Sequence, residues 1–410
     1  MRSSLYAKVA VPVLISALAL SGCGSKKEDT GGGAGGDKKV AKIGFIAPIS
    51  GDLAALGLGM ENSAKLAIDQ ANKKETVKGW KIEFEPLDDT ADANTGAQAA
   101  SKLASENDVV GVIGTLNSSV SLQVQPILGR KSIVQISPAN TLPDLTQGKD
   151  YLTTKKRQFD NYFRVSTTDA IQGPFGADYV YNTLKKTTAV TVNDQLAYGV
   201  GLTANFERAF TKLGGKILSR QKVSKGDKDF ASVVSKIKPL KPGVIYYGGQ
   251  YPEGSLLSKQ SKAAGMTAPL VGGDGLVDKT YIKVAGKAAE GDVATNVGAP
   301  TDKLPSAATF VQDYRAAGFK DDFSAYGAYT YDATNVIIAA MAKVLEGKSK
   351  IDDSVRKDIV KAVQETQISG ATGDIGFDEF GDNTNRVLTV YVIKAGDFAP
   401  ISTKSFDAAP

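Results

Sequence analysis

The sequence predicts an α/β protein with two lobes, each built around a parallel sheet. From Val40 onward, short β-branched runs are followed by loops rich in Gly, Ser, Asn and Pro, and then by helical stretches. Strands that alternate with helices of this length are typical of parallel sheets covered by helices on both faces. The roughly 370 residues of this part exceed one typical domain, so two lobes are expected.

Five of these units can be followed along the chain. In the first, the strand "KIGFIAP" precedes the loop "ISGDLAALGLG" and the helix "MENSAKLAIDQANKK", in which Ala64, Ala67, Ile68 and Ala71 share one face. The second strand, "VVGVIG", precedes the loop "TLNSS" and the helix "VSLQVQPILGR", and the third, "SIVQIS", precedes the loop "PANT". The fourth, "TAVTVN", precedes the loop "DQLAYGVG" and the helix "LTANFERAFTKLGG". The fifth, "PGVIYYGG", precedes the loop "QYPE" and the helix "GSLLSKQSKAAG".

The loops after the strands are the expected ligand site, because open parallel sheets bind ligands beyond the carboxyl ends of their strands. In "TLNSS", Ser118 and Ser119 stand at a helix start, where they either receive a carboxylate or simply cap the helix. The loop "ISPANT" places Thr141 after the next strand, although it also fits an ordinary strand-ending turn. Together the loops predict a polar cradle with no strong acid or base, which suits binding better than hydrolysis.

The single cysteine, Cys23, comes directly after an apolar run. With no second cysteine and no histidine, the chain forms neither an intrachain disulfide nor a Cys/His zinc site. Arg2 and Lys8 accompany the apolar run from Val9 to Leu20, which is too short to cross a bilayer and is typical of a signal peptide. The sequence "LSGC" resembles the bacterial lipobox, in which the cysteine becomes a lipidated N-terminus.

We therefore predict a lipoprotein signal peptide over residues 1–22, and a lipidated cysteine with a flexible tether over residues 23–40. The tether is almost free of apolar residues, so it buries too little surface to offset its ordering entropy. The alternative is an ordinary secretory signal with an incidental cysteine.

Composition argues against several function classes. Lysine and arginine exceed aspartate and glutamate by five (49 − 44) without forming clusters, so no nucleic-acid partner is expected. The lack of histidine removes the Ser-His and Cys-His pairs of most hydrolases, so we expect no enzyme and no cofactor, with a carboxylate-based hydrolase as the enzymatic alternative. In "LDDTADAN", the carboxylates of Asp88, Asp89 and Asp92 lack the EF-hand pattern and predict a solvated turn.

Seven stretches resemble, in order, the leucine/isoleucine/valine-binding protein family, the extracytoplasmic receptors of branched-chain amino acid ABC importers. They are "KIGFIAPISG", "GVIGTLNSSVS", "IVQISPANTLPDLT", "FRVSTTDAIQGP", "KDFASVVSKIK", "VIYYGGQYPE" and "AEGDVATNVGAP". The resemblance implies a type I periplasmic-binding fold with two Rossmann-like lobes that close about three hinge crossovers. The first lobe would comprise residues 41–168 and 298–389, and the second residues 169–297 and 390–410.

The same resemblance implies the ligand contacts. Ser118 and Thr141 match the residues that hold the amino acid's carboxylate, and Ala139 matches the carbonyl that accepts from its ammonium group. Asp274 in "VGGDG" matches the acidic partner of the ammonium, a charge-assisted contact that selects zwitterions. The alternative for Asp274 is a helix cap.

Tyr198 matches a tyrosine that closes over the ligand from the second lobe, and Tyr326 an aromatic at the pocket edge. Both also fit a packing role.

The sequence departs from the family pattern at three positions. Gln250 stands where the family often has a tyrosine beside the ammonium group, with Tyr251 one place later. Leu56 replaces a common aromatic next to the side-chain pocket, and Asp274 is shorter than the usual glutamate. Asp89 and Asn117 occupy the positions of a cysteine pair found in some members.

The expected function is a monomeric solute receptor, lipid-anchored at the outer face of a bacterial cell membrane. It would capture a branched-chain or similar aliphatic α-amino acid and pass it to the permease and ATPase complex of an ABC importer. Alternatives are the same fold tuned to an amide, urea or an aromatic acid, a ligand-sensing subunit, and the hydrolase.

We expect Cys23→Ser to release the protein from the membrane without changing ligand binding, because the tether separates anchor and pocket. Two or three acyl chains hold a protein far better than one, since each buried CH₂ contributes about 0.8 kcal/mol. Metabolic labelling with a palmitate analogue and cell fractionation measure the effect. A wild-type protein that takes up no lipid would contradict the prediction.

Overall fold

The structure, a computed structural model, describes residues 38–407. The predicted signal peptide, Cys23 and nearly all of the tether lie outside these residues. Within the described range, no helix is both long enough and apolar enough to cross a membrane.

The first lobe contains a five-stranded parallel sheet. In sheet order its strands are β2 (Trp80–Asp88), β1 (Lys39–Ala47), β3 (Val109–Gly114), β4 (Val134–Ser137) and β5 (Tyr162–Arg164). One face packs against α1 (Ala54–Lys73), α11 (Gly327–Leu345) and α12 (Asp353–Gln364), and the other against α2 (Ala93–Ser105) and α3 (Ser118–Gly129). Coverage on both faces explains why every residue of β3 is buried.

The second lobe contains a seven-stranded sheet. In sheet order its strands are β14 (Asp397–Ser405), β13 (Val387–Lys394), β10 (Val293–Val297), β9 (Leu270–Gly272), β8 (Val244–Gly248), β6 (Thr188–Asn193) and β7 (Lys216–Lys222). The helices α5 (Asp169–Asp178) and α6 (Ala197–Lys212) cover one face, and α7 (Ala231–Ile237), α8 (Tyr251–Ala263) and α9 (Lys279–Ala285) the other. The remaining elements are α4 (Asp144–Gln147), α10 (Ala308–Ala316) and the hairpin of β11 (Gln367–Gly370) and β12 (Gly373–Gly376).

The last two strands differ from the all-parallel expectation, since β13 pairs antiparallel with both β10 and β14. Ala395 and Gly396 form the two-residue turn between β13 and β14, with φ of 54° and 78°. Positive φ at both positions is the geometry of a tight hairpin, and a connection this short joins only antiparallel strands.

Three helices begin earlier than the sequence predicts. Helix α1 starts at Ala54 rather than at Met60, while α6 and α8 start at Ala197 and Tyr251 within stretches expected to be loops. A Cβ at Gly57 would lie 1.9 Å from the carbonyl oxygen of Pro48, so glycine lets the first turn of α1 approach the end of β1. The glycines that indicated a loop therefore permit close packing of a helix.

Three segments join the lobes and lie side by side: residues 165–168, 298–307 and 377–386. The N–H of Gly298 donates to the carbonyl of Val387 at 2.7 Å, and the side-chain amide of Asn383 donates to the carbonyl of Val165 at 2.7 Å. These are the three expected hinge crossovers. Because β13 begins at Val387, residues 387–389, expected in the first lobe, pair within the second sheet.

A buried ion pair ties one crossover to a loop of the first lobe. Arg164 is fully buried, and its Nε lies 2.7 Å from Oδ1 of Asp382, at an angle outside hydrogen-bond geometry. The guanidinium also donates to the carbonyls of Asn140 and Leu142 at 2.7 and 2.9 Å. The second carboxylate oxygen of Asp382 accepts from the amide of Gln147 at 2.6 Å. The loop after β4 is thus anchored to the hinge.

We expect Asp382→Asn to lower the free energy of unfolding by about 3–5 kcal/mol, because it leaves the buried Arg164 guanidinium without a countercharge. Urea unfolding measures the change. The matched control is Asp69→Asn, which breaks an exposed pair with Lys65 and should cost less than about 1 kcal/mol. Equal, small effects of both substitutions would show that the Arg164 pair is not structurally important.

Candidate ligand-binding site

Three candidate residues come after neighbouring strands of the first lobe's sheet. Ser118 follows β3 and Thr141 follows β4, while Asp169 follows β5 at the end of the first crossover. Because parallel strands end at the same edge of the sheet, these three side chains belong to one region.

The hydroxyls of Ser118 and Thr141 are buried without protein partners. Each residue is 1% exposed, and neither hydroxyl has a hydrogen-bond partner among residues 38–407. Asn117, not Ser118, is the N-cap of α3, so capping does not explain Ser118. Ser119 instead accepts from the N–H of Ala197 across the lobes at 3.0 Å. Buried hydroxyls normally find partners, so these two are suited to a ligand.

The loop that carries Ala139 and Thr141 is held in one conformation by its neighbours. The Ser137 hydroxyl accepts from the N–H groups of Ala139 at 3.2 Å and of Asn140 at 2.8 Å. The Asn140 side chain donates to the carbonyl of Leu116 at 2.9 Å. Ala139 is 4% exposed, and its role as a carbonyl acceptor stays a prediction.

In the second lobe, Tyr198, Gln250 and Asp274 follow β6, β8 and β9, which are neighbours in the sheet. The hydroxyl of Tyr198 donates to one oxygen of Asp274 at 2.9 Å. The hydroxyl of Tyr326, which belongs to the first lobe, donates to the other oxygen at 2.7 Å. Both tyrosines therefore do more than pack, and a bond between the lobes ends on Asp274.

Burial raises the pKa of Asp274 above its ordinary value, while hydrogen bonds from Tyr326, Tyr198 and Gln172 lower it in part. Asp274 is 2% exposed. The two tyrosine hydroxyls that donate to Asp274 thus offset part, but not all, of the cost of burying its charged form.

Asp169 is a site residue that the sequence pattern did not predict. It is fully buried, and neither carboxylate oxygen has a hydrogen-bond partner in the described part of the chain. Burial raises its pKa well above the ordinary value, the nearby Thr141 hydroxyl partly offsets this, and the charge of Asp274 adds to it. The available signal was its place in "STTDAIQG", at the start of the helix that follows a strand. Which residues surround it, however, depends on the order of the strands in the sheet.

One further prediction stays untested and another is wrong. Leu56 is 1% exposed and lies in the large core that also contains Leu116, Ala139 and Tyr326, so its place beside a ligand side chain stays a prediction. The turn with Asp89 was predicted to be solvated, which is wrong for Asp89 itself. Asp89 is fully buried, and burial raises its pKa to about 7.

The second lobe covers this turn. Lys225 donates to the carbonyls of Thr90 and Ala91 at 3.2 and 2.7 Å, and the hydroxyl of Tyr251 donates to the carbonyl of Asp52 at 2.5 Å. The two lobes thus contact each other at this turn and at Asp52.

We expect Asp169→Asn to stabilise the ligand-free protein at pH 7 by about 0.5–2 kcal/mol, because it removes a carboxylate that is costly to bury. Substitutions that remove such unfavourable functional groups often stabilise a protein by this amount. Because the pKa of Asp169 is raised in the folded state, that state binds more protons than the unfolded state above about pH 3.8. The free energy of unfolding therefore falls as the pH rises above this value. Urea unfolding between pH 4 and pH 7 should show a weaker pH dependence in the variant. The control is Asp160→Asn at an exposed acid. An unchanged pH profile would contradict the prediction.

Comparison with known proteins agrees with this architecture. The profile of the periplasmic binding protein family matches residues 40–397. A Leu/Ile/Val-binding protein homolog from Brucella melitensis is 32% identical over 85% of this chain and 90% of its own length. A leucine-, isoleucine-, valine-, threonine- and alanine-binding protein from Pseudomonas aeruginosa is 28% identical, over 85% of this chain and 89% of its own.

Among solved structures, a leucine-binding protein from Thermotoga maritima is similar, with a TM-score of 0.78 and 29% identity. The match covers 88% of this chain and 98% of that protein. The family profile spans most of the chain, and both lobes and the three crossovers fit it. The protein described here therefore belongs to the periplasmic binding protein family, whose members are extracytoplasmic solute-binding proteins.

Proposed function

We propose that this protein captures a branched-chain or similar aliphatic α-amino acid between its lobes and delivers it to the permease and ATPase complex of an ABC importer. The observation that carries the proposal is that hydroxyls without hydrogen-bond partners and buried acidic side chains both lie at strand ends where the two lobes meet. The names of the relatives from Brucella melitensis and Thermotoga maritima support the ligand class.

The ligand's carboxylate binds to the first lobe. The hydroxyls of Ser118 and Thr141 donate to it, and the first free N–H groups of α3 face the same side. Within residues 38–407 neither hydroxyl has a well-formed hydrogen bond, although that of Thr141 lies close enough to Asp169 to lower its pKa. A bound carboxylate gives both hydroxyls an acceptor.

The ligand's ammonium group binds near Asp169 and Asp274. An ionised carboxylate has about four acceptor positions, so Asp274 accepts from the ligand as well as from its two tyrosines. Asp169 has both oxygens free within the described residues. A positive charge beside two buried acids relieves their mutual repulsion, and the ligand's three N–H donors suit these oxygens together with the Ala139 carbonyl.

The protein performs no chemical step in this proposal. A monomer, anchored through Cys23 on the outer face of the membrane, closes on its ligand and presents it to the transporter. Turnover assays on peptides and glycosides, which should show no product while stoichiometric binding is measured, distinguish this from a carboxylate-based hydrolase.

We expect Asp274→Asn to weaken the binding of leucine, isoleucine and valine by roughly thirty- to several-thousand-fold, equivalent to about 2–5 kcal/mol. Binding of the corresponding 2-keto acids should be unchanged or tighter, because these ligands have no ammonium and the substitution removes a negative charge. Isothermal titration of both ligand sets measures the ratio, with the exposed Asp160→Asn as control. Binding of the amino acids within threefold of wild type, or equal weakening of both sets, would refute this role for Asp274.

A further inference from the structure

A small cavity lies between the lobes beside the binding site. Its volume is about 10 Å³, enough for about one water molecule. The polar side chains around it come from both lobes and are Asp52, Asn117, Asp194, Lys225, Gln250 and Glu253.

Asn117 presents an unused acceptor to this cavity. The residue is 6% exposed, and its Oδ1 has no hydrogen-bond partner in the described structure. An asparagine at a helix N-cap normally accepts from the N–H groups of the first turn. Here the side chain makes no capping bond, and the N–H groups of Val120 and Ser121 donate to the backbone carbonyl of Asn117 instead. Helix capping therefore does not account for this side chain.

Gln250 presents a second acceptor from the other lobe. It is the N-cap of α8 and likewise makes no side-chain capping bond. Its Oε1 is buried, and no group within residues 38–407 donates to it. Both Asn117 and Gln250 depart from the family pattern, and the contacts proposed above for the ligand's carboxylate and ammonium use neither.

The cavity adjoins the residues that hold the ligand. A Cβ placed on Gly275 would lie 2.9 Å from Oε1 of Gln250 and 3.1 Å from Cε1 of Tyr198. Gly275 follows Asp274 directly, and Asn117 precedes Ser118. Asn117 and Gln250 are therefore neighbours of the residues proposed to hold the ligand's carboxylate and ammonium groups.

The charges around the cavity favour a hydrogen-bond donor. Asp194 and Glu253 are each 4% exposed, and they accept from the N–H groups of Leu196 at 2.9 Å and Gly226 at 2.7 Å. The one lysine of the lining, Lys225, is engaged with carbonyls of the opposite lobe. The two buried acids and the two amide oxygens make this end of the site rich in hydrogen-bond acceptors, and burial raises the pKa of Asp194 to about 7 and that of Glu253 above its ordinary value.

We propose that Asn117 and Gln250 are specificity-determining residues that extend the ligand range to amino acids whose side chains carry an amide or hydroxyl donor. The proposal rests on the proposed function insofar as the ligand is an α-amino acid. With an aliphatic ligand, one water in the cavity bridges the two amide oxygens. A side-chain amide replaces that water and donates to them directly.

Pairs of ligands with the same shape and different polarity test this. Leucine and asparagine are near-isosteric, as are valine and threonine, so isothermal titration of wild type with all four isolates the side-chain donor. We expect asparagine to bind at least as tightly as leucine, and threonine at least as tightly as valine. A site built to hydrogen-bond a ligand group discriminates strongly against the analogue that lacks it.

The variants Asn117→Leu and Gln250→Leu remove one acceptor each at little change in volume. Each should weaken asparagine binding by about tenfold or more, because the ligand's amide is then buried without its partner, and should leave leucine binding unchanged or tighter. The matched control is Gln123→Leu, an exposed position on α3, which should alter neither.

The outcomes separate this proposal from the function on which it rests. If leucine binds and asparagine and threonine bind a hundredfold more weakly or not at all, the side-chain proposal is wrong and the proposed function stands. If the two variants weaken leucine and asparagine equally, both residues are structural and the proposal is again wrong. If none of the four amino acids binds, the proposed function fails as well.

Discussion

The hydrogen bonds of Tyr198 and Tyr326 to Asp274 join the two lobes at a buried negative charge. Burying a carboxylate is costly unless it is paired, and Asp169 adds a second buried acid nearby. If the lobes close without a bound cation, two acidic side chains come together away from bulk water. If they close on a ligand with an ammonium group, that group neutralises one of the two acids. A ligand that binds the closed state more tightly than the open one shifts the population towards closure. In the proposed function, the two acids thereby make closure depend on the charge of the ligand.

The first lobe supplies a rigid half to this arrangement. The buried guanidinium of Arg164 holds the carbonyls of Asn140 and Leu142, so the loop with Thr141 keeps its shape as the hinge moves. The same guanidinium also forms an ion pair with Asp382, which lies on the third crossover. The loop proposed to bind the ligand's carboxylate and the third crossover thus both contact the Arg164 guanidinium. A preorganised half-site reduces the entropy lost on binding.

The sequence predicted that the loops after the strands form the binding site, because parallel strands place their carboxyl ends together. This rule identified Ser118 and Thr141 from the sequence alone. Resemblance to the family added Asp274 and its two tyrosines, which the structure joins by hydrogen bonds. Asp169 was not predicted, since its importance depends on which strands are neighbours and on the closure of the lobes. Asp89 was misassigned for the same reason, because the second lobe covers a turn that is polar in sequence.

Within residues 38–407, the buried polar atoms without protein partners include atoms of five residues around the site: Asn117, Ser118, Thr141, Asp169 and Gln250. Each such group destabilises a closed state that contains no ligand, because it gives up water and gains nothing in return. Together they favour ligands that supply an acceptor at one pole and donors at the other, and disfavour a purely apolar occupant. In the proposed function, the groups that lower the stability of the ligand-free protein also determine its ligand selectivity. Such a trade-off is expected where a protein keeps unsatisfied polar groups for a binding partner.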